Sequence, residues 1–469
     1  MPDEDHISGS SFRDHLTTVD EKGKRQWLFP KRPSGPYYRK RILVSWFYYL
    51  LFFGLPFIYY QGKPFFLFNF VKGEYIVFGK IFWPQDFLIF GLIFLAGLLF
   101  IALFTMAFGR VFCGWICPQT IFMEMLFRKV DYWILGDGAA QKLLFSQPWN
   151  AEKTRKYAIR YGIYLVLSFI IANTFLAYII GTEALWEIIT GPLELHITGF
   201  ISIVAFTLIF FSVFAFLREQ VCTNICPYGR LQGVLLDKNS VVVIYDHKRG
   251  EPRGKYAKIK EEHLGDCIDC DQCVKVCPTG IDIRNGTQLE CTNCTACIDA
   301  CNFMMDKTGR APGLIRYDSE NNVSEGKKFR VTGRILTYSI VLVAIITAIS
   351  VLLITRKEVG VKLMRSAGLT YQERGTDSLS NLYTIKLENK SNDTLHITLD
   401  LADGQGHIEM VGSKSITLLP ADRAGSSFFV ILPKSAIRAR KNDIQIAIYK
   451  NGQHVQTAST TFLAPVKLK

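Results

Sequence analysis

The sequence predicts a bundle of membrane-spanning helices interrupted by a cysteine-rich soluble insert and closed by an all-β C-terminal domain. Three observations predict it. Long uncharged runs, each long enough to cross a bilayer, recur through the chain. All 12 cysteines fall between Cys113 and Cys301. Beyond residue 356 the chain changes to short polar–apolar alternation without a cysteine.

Composition narrows the function classes. Of the 469 residues 49 % are apolar and 20 % charged, with mean hydropathy +0.18, the opposite of a disordered chain. The 35 Phe and 20 Tyr gather in long runs, which speaks against a simple soluble enzyme. The formal charge of +13 would suit nucleic acid, but no basic stripe interleaved with aromatics appears outside the loops, so nucleic acid is not an expected partner. In a membrane protein the same excess collects in cytoplasmic loops.

A helical span needs about 20 mostly apolar residues. Five stretches qualify: Ile42–Tyr60, Phe87–Phe108, Tyr161–Ile180, Leu195–Leu217 and Ile335–Thr355. The first does not read as a cleavable signal, because Gln61-Gly62-Lys63-Pro64 lacks a small-x-small site. Pro64–Val71 and Ala184–Thr190 are too short to cross. Loops alternate in charge. The N-terminal tail, the loop 109–156 and the stretch 218–332 are rich in Lys and Arg, whereas 181–194 has neither and carries Glu183, Glu187 and Glu194. The positive-inside rule then places the N-terminus and every cysteine in the cytoplasm, and five spans put 356–469 outside. The expected organisation is a basic tail over 1–41, four membrane helices within 42–217, a cytoplasmic ferredoxin domain over 218–332, a fifth helix over 333–355 and an outer domain over 356–469. In that outer domain the runs Tyr383–Glu388, His396–Leu399, Ser415–Leu418, Ser427–Leu432 and Ile444–Tyr449 alternate with period two between turn signals, which predicts a small β-sandwich.

The strongest motif is Cys267-x2-Cys270-x2-Cys273-x3-Cys277-Pro278, followed by Cys291-x2-Cys294-x2-Cys297-x3-Cys301. Three thiolates at this spacing wrap one face of a cubane cluster, and the fourth is carried off to the neighbouring one. The expected ligand sets of two [4Fe–4S] clusters are Cys267, Cys270, Cys273 and Cys301, then Cys291, Cys294, Cys297 and Cys277. Zinc, usually held by two pairs of ligands around a longer loop, fits two triplets with remote fourths poorly. A cytoplasmic location disfavours disulfides.

The remaining cysteines form an internal repeat. Cys113-Gly114-Trp115-Ile116-Cys117-Pro118 follows the second span, and Cys222-Thr223-Asn224-Ile225-Cys226-Pro227 follows the fourth. On a helix, positions i and i+4 share a face, so each pair can present two sulfurs together, and two repeats side by side bring four thiolates to the cytoplasmic face. Soft sulfur suits Cu(I), zinc or iron–sulfur centres. Small buried cysteines at helix ends would be the plain alternative. Duplication at the same topological position argues for chemistry. Met123 and Met125 follow the first motif, and His196 beside Glu194 sits at the outer end of the fourth span, where an ionisable group could handle a quinol proton. No dinucleotide fingerprint, P-loop or HExxH is present.

Paired C-x3-C-P motifs, a two-cluster ferredoxin insert, a further span and a β tail, in this order, resemble the FixG/CcoG/RdxA family of cytochrome c oxidase accessory proteins. The C-x3-C-P pairs alone are shared with membrane subunits of the NapH and NosR types. The resemblance implies an immunoglobulin-like outer domain and residence in a bacterial inner membrane. It also implies reduction of Cu(II) to Cu(I) in support of cbb3-type oxidase assembly. Copper would be held by Cys113, Cys117, Cys222 and Cys226 and fed by the two clusters. A copper chaperone and oxidase assembly factors would be the partners, with an electron donor that the resemblance does not name. Two other readings stand beside it. One is a quinol-oxidising relay with quinone near Glu183, Glu187, Glu194 and His196, and the other a non-enzymatic assembly scaffold.

Overall fold

The computed structural model describes residues 18–19, 22, 24–70, 72–83, 86–255, 264–326, 331–366, 370–391, 393–402, 404–412, 415–420 and 422–465. The start of the expected basic tail lies outside the described residues. The chain divides into two compact units, each assembled from separated stretches: Met1–Pro56 with Phe90–Ile349, and Phe57–Ile89 with Ser350–Lys469.

Among the described residues four helices are long and apolar enough to cross a membrane: Phe87–Phe108, Ala151–Ile180, Ile197–Leu217 and Gly333–Ile354. Helices satisfy their own backbone, which is what hydrocarbon demands. Ala151–Ile180 is bounded by local chemistry. The Asn150 side chain caps its start by accepting from the Lys153 amide at 2.8 Å, and Gly181, at φ 89°, ends it. Its last turns pack Leu176 and Ala177 against Ile203 and against Leu185 of the short helix Thr182–Thr190.

The expected first span is corrected. Helix Pro36–Gly54 opens with Arg39, Lys40 and Arg41 and stops at Gly54; Leu55–Phe57 is a single 3₁₀ turn, and Tyr59–Tyr60 pairs with Lys63–Pro64 as a small hairpin. Pro56 is the physical reason: it has no backbone N–H to continue the ladder, so the chain goes on only as the 3₁₀ turn. The uncharged helical part, Ile42 to Gly54, is roughly 20 Å long at 1.5 Å per residue, so Arg39, Lys40 and Arg41 fall in the rest of the helix, and the exposed Arg39 and Lys40 would reach toward the headgroups of a ~30 Å core. The count is therefore four apolar helices of spanning length, where the sequence suggested five.

Between the third and fourth of these helices lies the cysteine-rich insert. Its frame is small: strand Val242–Tyr245 pairs antiparallel with Ile315–Asp318, and helix Ala296–Lys307 packs below them. The N-terminal stretch is tied to it, Lys31 N donating to Lys275 O at 2.7 Å and Tyr37 and Tyr38 amides to the Asp299 carboxylate at 3.2 and 2.8 Å. The same stretch holds the loop after the first repeat, through Arg32 N to Asp137 at 2.7 Å and Tyr132 OH to Pro30 O at 3.2 Å.

The second unit is β-structure. One antiparallel sheet runs His407–Met410, Arg423–Pro433, Ser378–Asn389, Val359–Arg365, with Gln372–Arg374 also pairing along Ser378–Asn389. The other runs Ile416–Leu418, Leu395–Leu401, Lys441–Lys450, Gln453–Leu463. Alternation puts Leu379, Tyr383, Ile385 and Leu387 of the first and Leu395, Ile397, Ile446 and Ile448 of the second into one buried core. Segment Phe57–Ile89 adds a three-stranded meander, Phe66–Asn69, Glu74–Val77 and Lys80–Phe82, around Leu67, Ile76, Ile81 and Trp83. It is fastened to the C-terminal sheets by Asp86, whose carboxylate receives Arg356 and Lys390 at 2.6 Å each, and by Trp83 Nε1 donating to Asn389 O at 3.3 Å.

Candidate functional site: two cysteine cavities and a paired thiol motif

Each cysteine run turns twice through the left-handed region. Asp269 and Asp271 lie at φ 51° and 55°, and the matching Asn293 and Thr295 at 54° and 65°. Such turns aim successive backbone N–H groups to one side, where they favour negative charge. Two small, apolar, partly open cavities of about 20 Å³ each result. One is lined by Cys267, Cys270, Cys273 and Cys301 with Tyr245, Met305 and Leu314. The other is lined by Cys277, Cys291, Cys294 and Cys297, with Cys273 at its edge. Burial pushes the free thiols of Cys273, Cys291 and Cys301 up to about 12 and Cys277 to about 11. As free thiols they would stay protonated. Eight cysteines around two apolar spaces, with Cys273 lining both, fit two cubane clusters, whose iron would displace those protons.

The C-x3-C-P repeats build a second site. In the first, Gly109 (φ 60°) turns the chain after span Phe87–Phe108, and Cys113 lies in the short helix Val111–Trp115. In the second, Arg218 (φ 51°) turns it four residues before Cys222, which lies in the π-turn Val221–Ile225. The expectation that each pair rides one helical face is corrected. Cys117 and Cys226 have ψ of 126° and 110° and cap new helices that begin at Pro118 and Pro227. A residue before proline avoids the helical region, and proline suits the first helical position. The second cysteine of each pair therefore sits at a helix N-terminus, where partial positive charge favours an anion.

The repeats face each other. Cys113 is buried and donates to Gln232 Oε1 at 3.1 Å, and Arg110 Nε donates to the same oxygen at 2.8 Å. Gln232 belongs to the helix of the second repeat, Pro227–Leu235. Burial, then the thiol of Cys117 across the repeat boundary, push the Cys222 thiol up to about 12, with Cys113 and Cys226 adding to it. Cys113, Cys117 and Cys226 thus all lie within electrostatic reach of Cys222. Among the described residues, no three His, Cys, Asp or Glu side chains converge at metal-binding distance.

Sequence reasoning missed two features. The first is a buried ionic network beneath the repeats. Asp131, wholly buried, accepts from Arg160 Nε at 2.6 Å, Tyr164 OH at 2.8 Å and Arg218 NH2 at 3.0 Å. Arg128 lies between Glu124 at 3.0 Å and Glu219 at 3.5 Å, and Arg25 of the N-terminal stretch reaches Glu219 at 3.3 Å. Glu124, Arg128 and Asp131 follow Cys117 at helical spacing, while Arg218 and Glu219 precede Cys222, so the network joins the repeats. The second is a contact of the first motif with the cysteine loop 291–294. Trp115 Nε1 donates to Asn293 O at 3.3 Å, and Arg110 NH1 donates to Leu289 O.

The weaker candidates fall elsewhere. Met123 packs in a core with Phe122, Phe127, Tyr164 and Phe214, and Met125 is buried. His196 lies 3.8 Å from an exposed Glu187.

Comparison with known proteins covers both modules. Residues 217–320 match the family described as a 4Fe-4S dicluster domain, 88–136 a 4Fe-4S binding domain, and 349–465 the IG-like fold at the C-terminus of FixG. The protein RdxB of Cereibacter sphaeroides is 34 % identical over 386 residues, 78 % of this chain and 80 % of RdxB. The nitrogen fixation protein FixG of Rhizobium meliloti is 36 % identical over 66 % of this chain, and RdxA of C. sphaeroides 38 % over 62 %. Those two matches span 60 % of FixG and 62 % of RdxA, less than two thirds of either. With iron–sulfur modules, spanning helices and the C-terminal β domain in common order, this chain belongs to the FixG/RdxA/RdxB family of membrane-associated iron–sulfur electron-transfer proteins.

Proposed function

We propose that this protein is a cupric reductase: it delivers single electrons to Cu(II) at the paired C-x3-C-P thiols, in support of cbb3-type oxidase assembly. One observation carries the reading. Two repeats, more than a hundred residues apart in the sequence, meet where Cys113 donates to Gln232, with Cys113, Cys117 and Cys226 within electrostatic reach of Cys222 and the first motif set against a cysteine loop of the ferredoxin insert. Bound clusters would supply one-electron transfer, held by Cys267, Cys270, Cys273 and Cys301 and by Cys277, Cys291, Cys294 and Cys297. The chain's own groups do the rest. The thiols offer soft ligands that favour Cu(I) over Cu(II), so copper binds as substrate and its reduction is drawn forward. Arg110 and Gln232 hold Cys113 in place.

Sidedness follows from the loops. The four long apolar helices put 109–150 and the ferredoxin insert on one face; the N-terminal stretch bonded to that insert shares it, which makes helix Pro36–Gly54 a further crossing, and the basic residues concentrated there support the cytoplasm. The β domain is then periplasmic in a bacterial inner membrane. A periplasm-specific reporter fused after Lys469 should be active and one placed near Gly250 silent.

The test is Cu(II) reduction by anaerobically purified protein carrying its iron. Changing Cys113 and Cys117 together, or Cys222 and Cys226 together, to Ser should leave iron content near normal and slow reduction. Full reduction without all four thiols would refute the proposal.

A further inference from the structure

We infer that Gly114 and Asn293 form the crossing that wires the cysteine loop 291–294 to the Cys113/Cys117 pair. On this inference the cavity lined by Cys277, Cys291, Cys294 and Cys297 is the one from which the thiols are served. The inference rests on the copper-reducing reading of those thiols and adds the route.

Gly114 follows Cys113 directly and lies in a helical turn, where glycine costs about 1 kcal/mol relative to alanine. Its backbone does not require glycine's left-handed freedom. Space requires it. A Cβ here would collide with the Thr292 carbonyl oxygen and lie 3.1 Å from both the carbonyl carbon and oxygen of Asn293. The loop that carries Cys291 and Cys294 therefore rests on the peptide next to Cys113. From Cys291 or Cys294 to Cys113 the path is covalent except for one van der Waals crossing.

Asn293 is held for this contact. Its carbonyl accepts from Trp115 Nε1 at 3.3 Å and from Tyr317 OH at 3.0 Å, and its side-chain oxygen accepts from Val243 N at 3.4 Å. In the first cysteine run Asp269 takes the matching place, and its carboxylate is turned to Arg284 at 2.7 Å. The other side of the joint is fixed as well. Arg41 clasps Gly114 O from Nε and NH2 at 3.1 and 2.9 Å, and Val241 N donates to Ala107 O at 3.0 Å. The second repeat is built otherwise. Thr223 and Asn224 stand where the first has Gly114 and Trp115, and the Thr223 hydroxyl turns back to Glu219 O at 3.4 Å. The two repeats thus divide the work: the first receives the electron, and the second completes the thiol set. Each electron that crosses converts one Cu(II) to Cu(I), and a low-potential one-electron donor, dithionite in the test, replaces it.

The experiment compares wild type, Gly114→Ala, Trp115→Phe and Thr223→Ala as full-length, iron-loaded proteins. Iron content, amide hydrogen exchange of 289–296 and the rate at which dithionite-reduced protein is reoxidised by Cu(II) are read for each. Gly114→Ala should keep its iron, raise exchange over 289–296 and slow reoxidation several-fold. Trp115→Phe, which removes only the indole N–H bond, should show the same signs to a smaller extent; it decides the matter if Gly114→Ala loses iron. Thr223→Ala should match wild type in all three. Wild-type rates in Gly114→Ala or Trp115→Phe despite raised exchange would overturn the crossing while leaving copper reduction intact. Failure of wild type itself to reduce Cu(II) would overturn the copper reading, and this assignment with it.

Discussion

Replacing Asp131 by Asn tests whether the buried ions hold the repeats together. The substitution keeps the shape and removes one charge at a wholly buried position. Arg160 and Arg218, whose side chains are 5 % and 4 % exposed, would then face an amide that accepts from fewer donors and neutralises neither. Among the described residues, the one ion pair left to Arg218 is with Glu219, at 3.7 Å. Breaking a buried pair in this way costs about 3–5 kcal/mol. Arg218 is also held at φ 51°, a conformation worth about 1–3 kcal/mol of strain in a non-glycine residue, and the Asp131 contact helps to impose it. At about 2 °C per kcal/mol, the slope for larger domains, the melting temperature should fall by about 6–10 °C. The assay is thermal unfolding in detergent, followed by a thiol-reactive dye that reports Cys222 as the second repeat loosens. Replacing Asp131, Arg160 and Arg218 together by apolar residues of similar volume should recover much of the loss, because the desolvation cost disappears with the charges. A melting temperature within 2 °C of wild type for Asp131→Asn alone would refute the reasoning.

Changing Cys301 to Ser should damage the cluster of Cys267, Cys270 and Cys273, and Cys277 to Ser that of Cys291, Cys294 and Cys297, each losing about half the iron; EPR that places either loss in the mutated run itself would contradict the crossed sets. Removing iron with a chelator should open residues 264–313 to protease, since buried protonated thiols cannot hold those turns as metal does. Burial alone would raise the Asp86 carboxyl, but hydrogen bonds from Lys390 and Arg356 prevail and hold it below the usual range. Its contribution is therefore complete above the unfolded value near ~4 and lost as pH falls through the lower folded value. Acid unfolding of the β domain should show that loss, and Asp86→Asn should flatten it.

The legible parts of this molecule are those written in local spacing. Two cysteine runs with a remote fourth predict two cluster modules, and all eight of their cysteines line one or other of two apolar cavities, Cys273 lining both. Period-two runs such as Tyr383–Glu388 are strands because each alternate residue reaches the shared core. What resisted reading depends on partners distant in sequence. Pro118 and Pro227 were visible, yet helical spacing alone suggested one continuous face, when each proline forces the preceding cysteine out of the helix. Glu124, Arg128 and Asp131 are spaced as a helical stripe of charge, but nothing nearby shows that Arg160 and Arg218 bury it. Gly114 carries no local signal, since the atom that excludes a side chain belongs to Thr292. The short first helix turned on one residue, Pro56, inside an otherwise apolar run.

The fastening of Asp86 and Trp83 to strands beyond residue 356 bears on biogenesis. These residues leave the ribosome some 270 residues before Arg356, which fixes them, and protein domains otherwise form largely in the order of synthesis. The 57–89 meander must wait, its carboxylate unpaired, until the last span has been inserted and the final strands delivered. Completion of this joint reports that every intervening helix has been threaded in the correct sense. A chain truncated before Arg356, or inverted at one span, would leave Asp86 and Trp83 without their anchors, a ready mark for quality-control proteolysis.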